Sequence, residues 1–169
     1  MLSQRTRYAL KALLELGLVA PGATMSAAAI SNRRNIPVKF LEGILAELKR
    51  DGVVDVQRGR AGGYRLARPT SEISFGAVVR LIEGPLALLP CVSVSQYRAC
   101  DDCRDERLCE LKRLFREVRD STAAILDGRT LADALESTRP TLVRPIVKTR
   151  PSPSPQRGRG KAPRRAGEH

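Results

Sequence analysis

Tryptophan is absent from the chain, tyrosine and phenylalanine number three each, and the single histidine is the terminal His169. A core built from this sequence must be aliphatic, and a histidine-centred catalytic or metal site inside the fold is not expected. No apolar run approaches membrane-spanning length. Lys11 and Glu15 interrupt the first one, so residues 1–20 are read as an amphipathic helix rather than a signal peptide or membrane anchor. A phosphate-binding glycine loop, a Ser/His/Asp set and a paired-carboxylate frame are all missing, which argues against an enzyme. Cysteine is missing outside 91–109, where all four cysteines lie. The expected compartment is the cytoplasm, where such thiols start reduced.

Positive charge is plentiful. Lys and Arg number 30 against 18 Asp and Glu, a formal net charge of +12. Residues 1–69 carry +7, residues 70–139 carry −2 and residues 140–169 carry +7. A basic front of this kind suits a polyanion such as nucleic acid.

Tyr8, Ala9, Ala12, Leu13, Leu16 and Val19 recur at helical spacing, and Pro21-Gly22 breaks the run. A short helix is predicted over Thr24 to Asn32 with Ser26 as N-cap, followed by a turn over Asn32 to Asn35 and an apolar plug at Ile36. Pro37 stands where the next helix begins, Leu41, Ile44, Leu45 and Leu48 form its apolar face, and Asp51-Gly52 ends it. Val53 to Gln57 and Tyr64 to Ala67 read as strands around the glycine-rich turn Arg58-Gly59-Arg60-Ala61-Gly62-Gly63. Helix, tight turn, helix and arginine-tipped hairpin make a winged helix-turn-helix. Ile73, Ala77, Val78, Leu81 and Ile82 give a helix under the wing, ended by Gly84-Pro85. Leu86 to Pro90 is a helical turn or a strand. A long helix is predicted over Asp105 to Asp127. Leu108, Leu111, Phe115, Val118, Thr122 and Ile125 step by three and four along it, as in a dimer seam, although such a stripe also suits packing on its own domain. Gly128 stops this helix, and Thr130 to Leu135 gives a last short one. Beyond Arg139, proline and arginine dominate, and the end cannot bury a core.

Cys91, Cys100, Cys103 and Cys109 are spaced C-x8-C-x2-C-x5-C. Thiolates are soft ligands suited to iron–sulfur clusters or zinc, and Asp101, Asp102, Asp105 and Glu106 make the region polar. Four such cysteines fit an iron–sulfur cluster, a zinc ion, or a metal-free thiol switch.

Taken together, Arg7-Tyr8-Ala9, Ile36 with Phe40-Leu41-Glu42, Gly52-Val53-Val54, the wing from Arg58 to Leu66, Ile73-Ser74 and Thr130-Leu131-Ala132-Asp133 resemble the Rrf-two family of bacterial transcription regulators over about residues 1–136. That family includes iron–sulfur and nitric-oxide sensors. The resemblance implies a cytoplasmic homodimer on double-stranded DNA with a pseudo-palindromic operator. It implies DNA contacts from Arg7, Lys39, Phe40, Glu42, Arg58, Arg60 and Tyr64. Lys39 would meet a phosphate or a guanine edge, Glu42 a cytosine, and Arg58 and Arg60 the minor groove. It implies a cluster on the cysteines, with Cys103 and Cys109 matching the last two of three family positions. Family members place a further ligand where this chain has Lys112 or Arg7, so four-cysteine ligation departs from that pattern.

The expected fold is mainly α with a small β-hairpin wing: a winged helix-turn-helix over residues 1–83, a cysteine-bearing sensor region over 84–104 with Cys109 just beyond, a dimerisation helix and short following helix over 105–136, and a basic tail over 137–169. The expected function is a dimeric repressor sensing iron–sulfur, redox or nitric-oxide status. The alternatives are a zinc-bound or metal-free thiol-switch regulator and a cluster-carrying protein of iron or sulfur handling.

Overall fold

The computed structural model describes residues 2–59, 62–101, 103 and 105–138. Arg60 at the wing tip and residues 139–169 of the basic tail lie outside it. Ser3 opens helix α1 (Gln4–Gly17) by accepting a hydrogen bond from the Thr6 amide. Ala9, Ala12, Leu13 and Leu16 point into the core, and α1 becomes the central post against which the other elements pack.

Helix α2 (Ala27–Arg34) starts at the predicted Ser26 cap but runs two residues past Asn32. The turn is made by Asn35 instead, which adopts a left-handed φ of 52°, a conformation the short polar Asn side chain tolerates. The Ser31 hydroxyl then donates to the Ile36 carbonyl at 2.6 Å and holds Ile36 as the plug of the angle. Helix α3 (Val38–Arg50) buries Leu41, Ile44, Leu45 and Leu48 as its periodicity requires.

Strands β1 (Val54–Gln57) and β2 (Gly63–Leu66) form an antiparallel hairpin, with Val54 opposite Leu66 and Gln57 opposite Gly63. The outer edge of β2 is also paired. Met25 N donates to Tyr64 O at 2.9 Å and Tyr64 N to Met25 O at 2.8 Å. The wing is thereby bolted to the residue just before the α2 cap. Gly63 is required there, because a Cβ would lie 2.7 Å from the Met25 backbone.

Helix α4 (Phe75–Glu83) is capped by Ser74 and stopped by Gly84 at φ 88°. The stretch from Leu86 is irregular and ends in a single 3₁₀ turn, Pro90–Val92. Helix α5 (Glu110–Asp127) begins five residues later than the sequence suggested. Its expected first turn is diverted because the Asp105 carboxylate accepts from the Arg107 amide at 2.9 Å, a local turn that competes with helix. Leu108 therefore stands before α5 rather than on it. Helix α6 (Leu131–Thr138) continues past residue 136. Thr130 and Asp133 cap it reciprocally, and Leu131 is fully buried in the core. Phe75 N to Arg129 O and Leu131 N to Ile73 O, both 2.9 Å, tie the α5–α6 corner to the start of α4.

No residue of α5 is buried. Phe115 and Thr122 lie half-buried on the side facing the body. The apolar residues that stand free are Leu111, Leu114, Val118 and Ile125, with 61%, 53%, 39% and 67% exposure. The exposed stripe thus includes Leu114, which the three-and-four reading passed over.

Candidate functional site

Lys39, Phe40 and Glu42 all stand exposed at the front of α3. Phe40 meets the ring of Tyr8 edge-on, with centroids 5.8 Å apart and planes at 83°. Gln4 Nε2 donates to the Tyr8 hydroxyl, and Arg7 donates to Gln4 Oε1 at 2.7 Å. One surface therefore joins Arg7 to the tip of α3. A groove of about 290 Å³ beside it is lined by Gln4, Arg7, Tyr8, Lys11, Arg34 and Asn35, a mostly cationic and amide lining that suits a phosphodiester.

The helix-turn-helix is braced from below. Glu15 is buried on α1 and accepts from Arg33 at 2.9 Å and from Arg34 at 2.6 Å, both at the end of α2. Burial pushes the Glu15 carboxyl up, but the hydrogen bonds and charge of Arg33 and Arg34 outweigh it and hold the group below its ordinary value. Arg5 likewise clasps Glu47 of α3 at 2.6 Å. These braces were not visible in the sequence, where Glu15 registers only as a charge interrupting an apolar run.

Arg58 is exposed where β1 leaves the sheet, and Gly59 turns the chain at φ 109°. Arg60 lies outside the described residues. Tyr64 is placed differently from Arg58. Its backbone is bonded to Met25 and its side chain packs against the core, opposite Val56 in the hairpin.

The cysteines occupy three settings. Cys91 is buried in the 3₁₀ turn. Cys100 and Cys103 are half-exposed on one turn, closed by Cys103 N donating to Cys100 O at 3.3 Å. Cys109 is the N-cap of α5, its sulfur accepting from the Lys112 amide at 3.4 Å. Around them, Glu106 accepts from both Lys112 Nζ and the Tyr97 hydroxyl. Lys112 first and Tyr97 second hold the Glu106 carboxyl below its usual range, and Glu106 in turn raises both partners. Arg119 of α5 donates to the Val92 carbonyl next to Cys91. Lys112 thus fastens the start of α5, and Arg119 its middle, to the cysteine region. The far end of α5 is fastened to α4 by the two-pronged Arg80–Asp127 pair at 2.6 and 2.8 Å. Gly76 makes room for it, since a Cβ there would fall 1.9 Å from Asp127 Oδ1.

Soft thiolates suit an iron–sulfur cluster in chemistry. In arrangement they are not pre-assembled: among the described residues no three of His, Cys, Asp or Glu converge on a point. The chain as folded offers four donors on three supports, and holding a cluster would require those supports to be brought together.

Comparisons with known proteins agree with this architecture. The model of the family described as Rrf2, iron-dependent transcriptional regulator, matches residues 2–137. An rrf2-like HTH-type transcriptional regulator of Rhodobacter capsulatus is 43% identical over 143 residues, covering 83% of this chain and 95% of the relative. Among solved structures, CymR, the global cysteine regulator of B. subtilis, superposes with a TM-score of 0.67 at 26% identity, covering 82% of this chain and 98% of CymR. IscR of T. potens superposes with a TM-score of 0.65 at 26% identity, covering 81% and 87%. Among the described residues no helix is long and apolar enough to cross a membrane. The winged helix-turn-helix, the half-exposed long helix and the matched family model have one reading in common: the chain belongs to the Rrf2 family of DNA-binding transcription regulators.

Proposed function

We propose that the chain is a cytoplasmic, homodimeric repressor that reads a pseudo-palindromic operator and is switched through its cysteine region. The observation that carries this reading is the station of α5 between the two modules. Cys109 caps its first turn, while Arg80–Asp127 ties its last turn to α4, which packs on the central post α1. A change of ligation or oxidation among the cysteines acts on one end of a rigid helix, and the other end moves with the DNA-reading half. In a two-fold dimer, Leu111, Leu114, Val118 and Ile125 supply the seam, with Phe115 and Thr122 along its inner border. The spacing of the two α3 helices then follows from the packing of the two α5 helices.

On the DNA side, Lys39, Phe40 and Glu42 enter the major groove, Arg7 meets the phosphate backbone, and Arg58 and Arg60 approach the minor groove with Tyr64 bracing the wing against the core. On the sensing side, Cys91, Cys100, Cys103 and Cys109 are the ligands for an iron–sulfur cluster, in keeping with the family's description as iron-dependent. When bound, such a cluster supplies sensitivity to oxidants and nitric oxide. A second reading uses the same residues without metal. It is favoured by the spread of the four thiols over three supports and by Cys100 and Cys103 sharing one turn.

Anaerobic purification with absorbance, iron and zinc analysis tests the sensing side. Parallel binding to the chain's own upstream region and to random duplex tests the reader. A dimer with clear operator preference, whose affinity changes about tenfold or more on loss of the cluster or oxidation of the thiols, is the expected result. Equal affinity for random duplex overturns the reader. A metal-free dimer that binds equally with oxidised and reduced thiols overturns the switch.

A further inference from the structure

Apart from Lys39 and Glu42, the outward face of α3 carries little that reads bases by hydrogen bonding. Lys39, Gly43, Ala46 and Arg50 succeed one another at i, i+4, i+7 and i+11 opposite the buried Leu41, Ile44, Leu45 and Leu48, and all four are exposed. Cations stand at the two ends, and the middle is glycine and alanine. A Cβ built on Gly43 meets nothing within 4 Å, so the helix surface is bare there and open to close approach. On the flank of this strip, in the first turn of α3, Phe40 keeps 48% of its surface in solvent. Exposing a phenylalanine forgoes burial free energy, yet this ring is held in position. Tyr8 stands edge-on against it, and Gln4 anchors the Tyr8 hydroxyl.

The ring's surroundings select its partner. Arg7, Lys11 and Arg34 line the groove next to Tyr8, and Lys39 follows Val38 at the helix tip. Arg34 is already paired with Glu15, but an apolar protein surface would have to bury Arg7, Lys11 and Lys39 with no carboxylate against them, which is costly. A polyanion that presents a small apolar group among its polar edges satisfies both features. In the DNA major groove that group is the 5-methyl of thymine, which alanine and phenylalanine side chains contact.

We propose that Phe40 is a specificity residue that packs on a thymine 5-methyl group in the major groove, with Gly43 and Ala46 keeping the helix surface low enough for the ring to reach it. This rests on the DNA-reading role proposed above for α3 and adds what is read: one thymine in each half-site, recognised by its methyl group rather than by a hydrogen bond.

Duplexes bound by the full-length protein would be selected from a random library. Each thymine of the selected site would then be replaced singly by uracil, which removes the methyl group and leaves every hydrogen-bonding group intact. The expected result is one position per half-site at which uracil weakens binding about fourfold, the worth of one buried methyl group. Phe40→Ala weakens binding to the thymine duplex and erases the thymine–uracil difference at that position, while Phe40→Leu retains most of it. Thermal melts of both variants establish that they are folded. Equal affinity for thymine and uracil at every position overturns the inference, as does a thymine preference undiminished in Phe40→Ala. If no sequence is enriched at all, the reader role fails and the inference fails with it, so the two failures are told apart.

Discussion

Glu15 sits under the helix-turn-helix with one carboxylate oxygen taken by Arg33 and the other by Arg34. Its carboxyl titrates below the ordinary 4.5, so on acidification the unfolded chain takes up the proton first. The stabilisation is complete above the unfolded value and is lost as pH falls through the lowered folded one. Glu15→Gln should cost about 1–3 kcal/mol at neutral pH and flatten the acid limb of a stability–pH curve measured by denaturant melts. It should not abolish that limb, because Glu83, Asp127 and Asp133 are lowered in the same direction. None of this was legible beforehand. A carboxylate in an apolar run reads as surface until the fold brings two arginines from another helix onto it. Asn35 is the counterpart case: both ends of the predicted Asn32–Asn35 turn are asparagines, and only the packing of Ile36 decides which one bends.

At the scale of elements, α1 and α3 follow from periodicity, since each buries one simple apolar face, and the hairpin follows from its turn chemistry. Helix α4 exists where expected but buries Gly76, Val78 and Val79, with Ala77 exposed. What periodicity misses is how elements are joined. The Met25–Tyr64 pairing has no signature, because a two-residue bridge needs only free edge amides and a glycine that lets backbones meet. Gly63→Ala places a methyl group against the Met25 backbone and should cost about 1–3 kcal/mol, with the wing losing protection from hydrogen exchange before the rest of the fold. The start of α5 is a second instance, where a single Asp105 side-chain bond outweighs helical spacing over residues 105–109. The exposed stripe of α5 carries the dimer proposal. Val118→Arg or Leu114→Arg, each placing a charge in that stripe, should yield a folded monomer by sedimentation, with operator affinity reduced by about a hundredfold or more once two half-sites no longer act together.

At the scale of the whole molecule, charge separates into a basic reading half, a slightly acidic middle and a basic tail. Operator affinity should fall steeply with salt through released counterions. Arg7→Ala and Arg58→Ala should each lower the slope of log affinity against log salt by about one while leaving the preferred sequence unchanged. The reading half was legible because its motif is local. The cysteine region was legible only as a set of residue types, because four thiols within 91–109 fix neither a geometry nor a ligand, and the fold sets them on three supports. The link between halves is α5, gripped by Lys112 near its start, by Arg119 at its middle and by Asp127 at its end. The most direct measurement of that link is anaerobic fluorescence anisotropy on the selected operator. Wild type and the fourfold Cys→Ser variant at 91, 100, 103 and 109 would each be titrated before and after treatment with peroxide or nitric oxide. Wild-type affinity should shift about tenfold or more on treatment while the variant stays fixed. A wild-type protein whose operator affinity is the same before and after treatment would mean that the cysteines do not govern DNA binding.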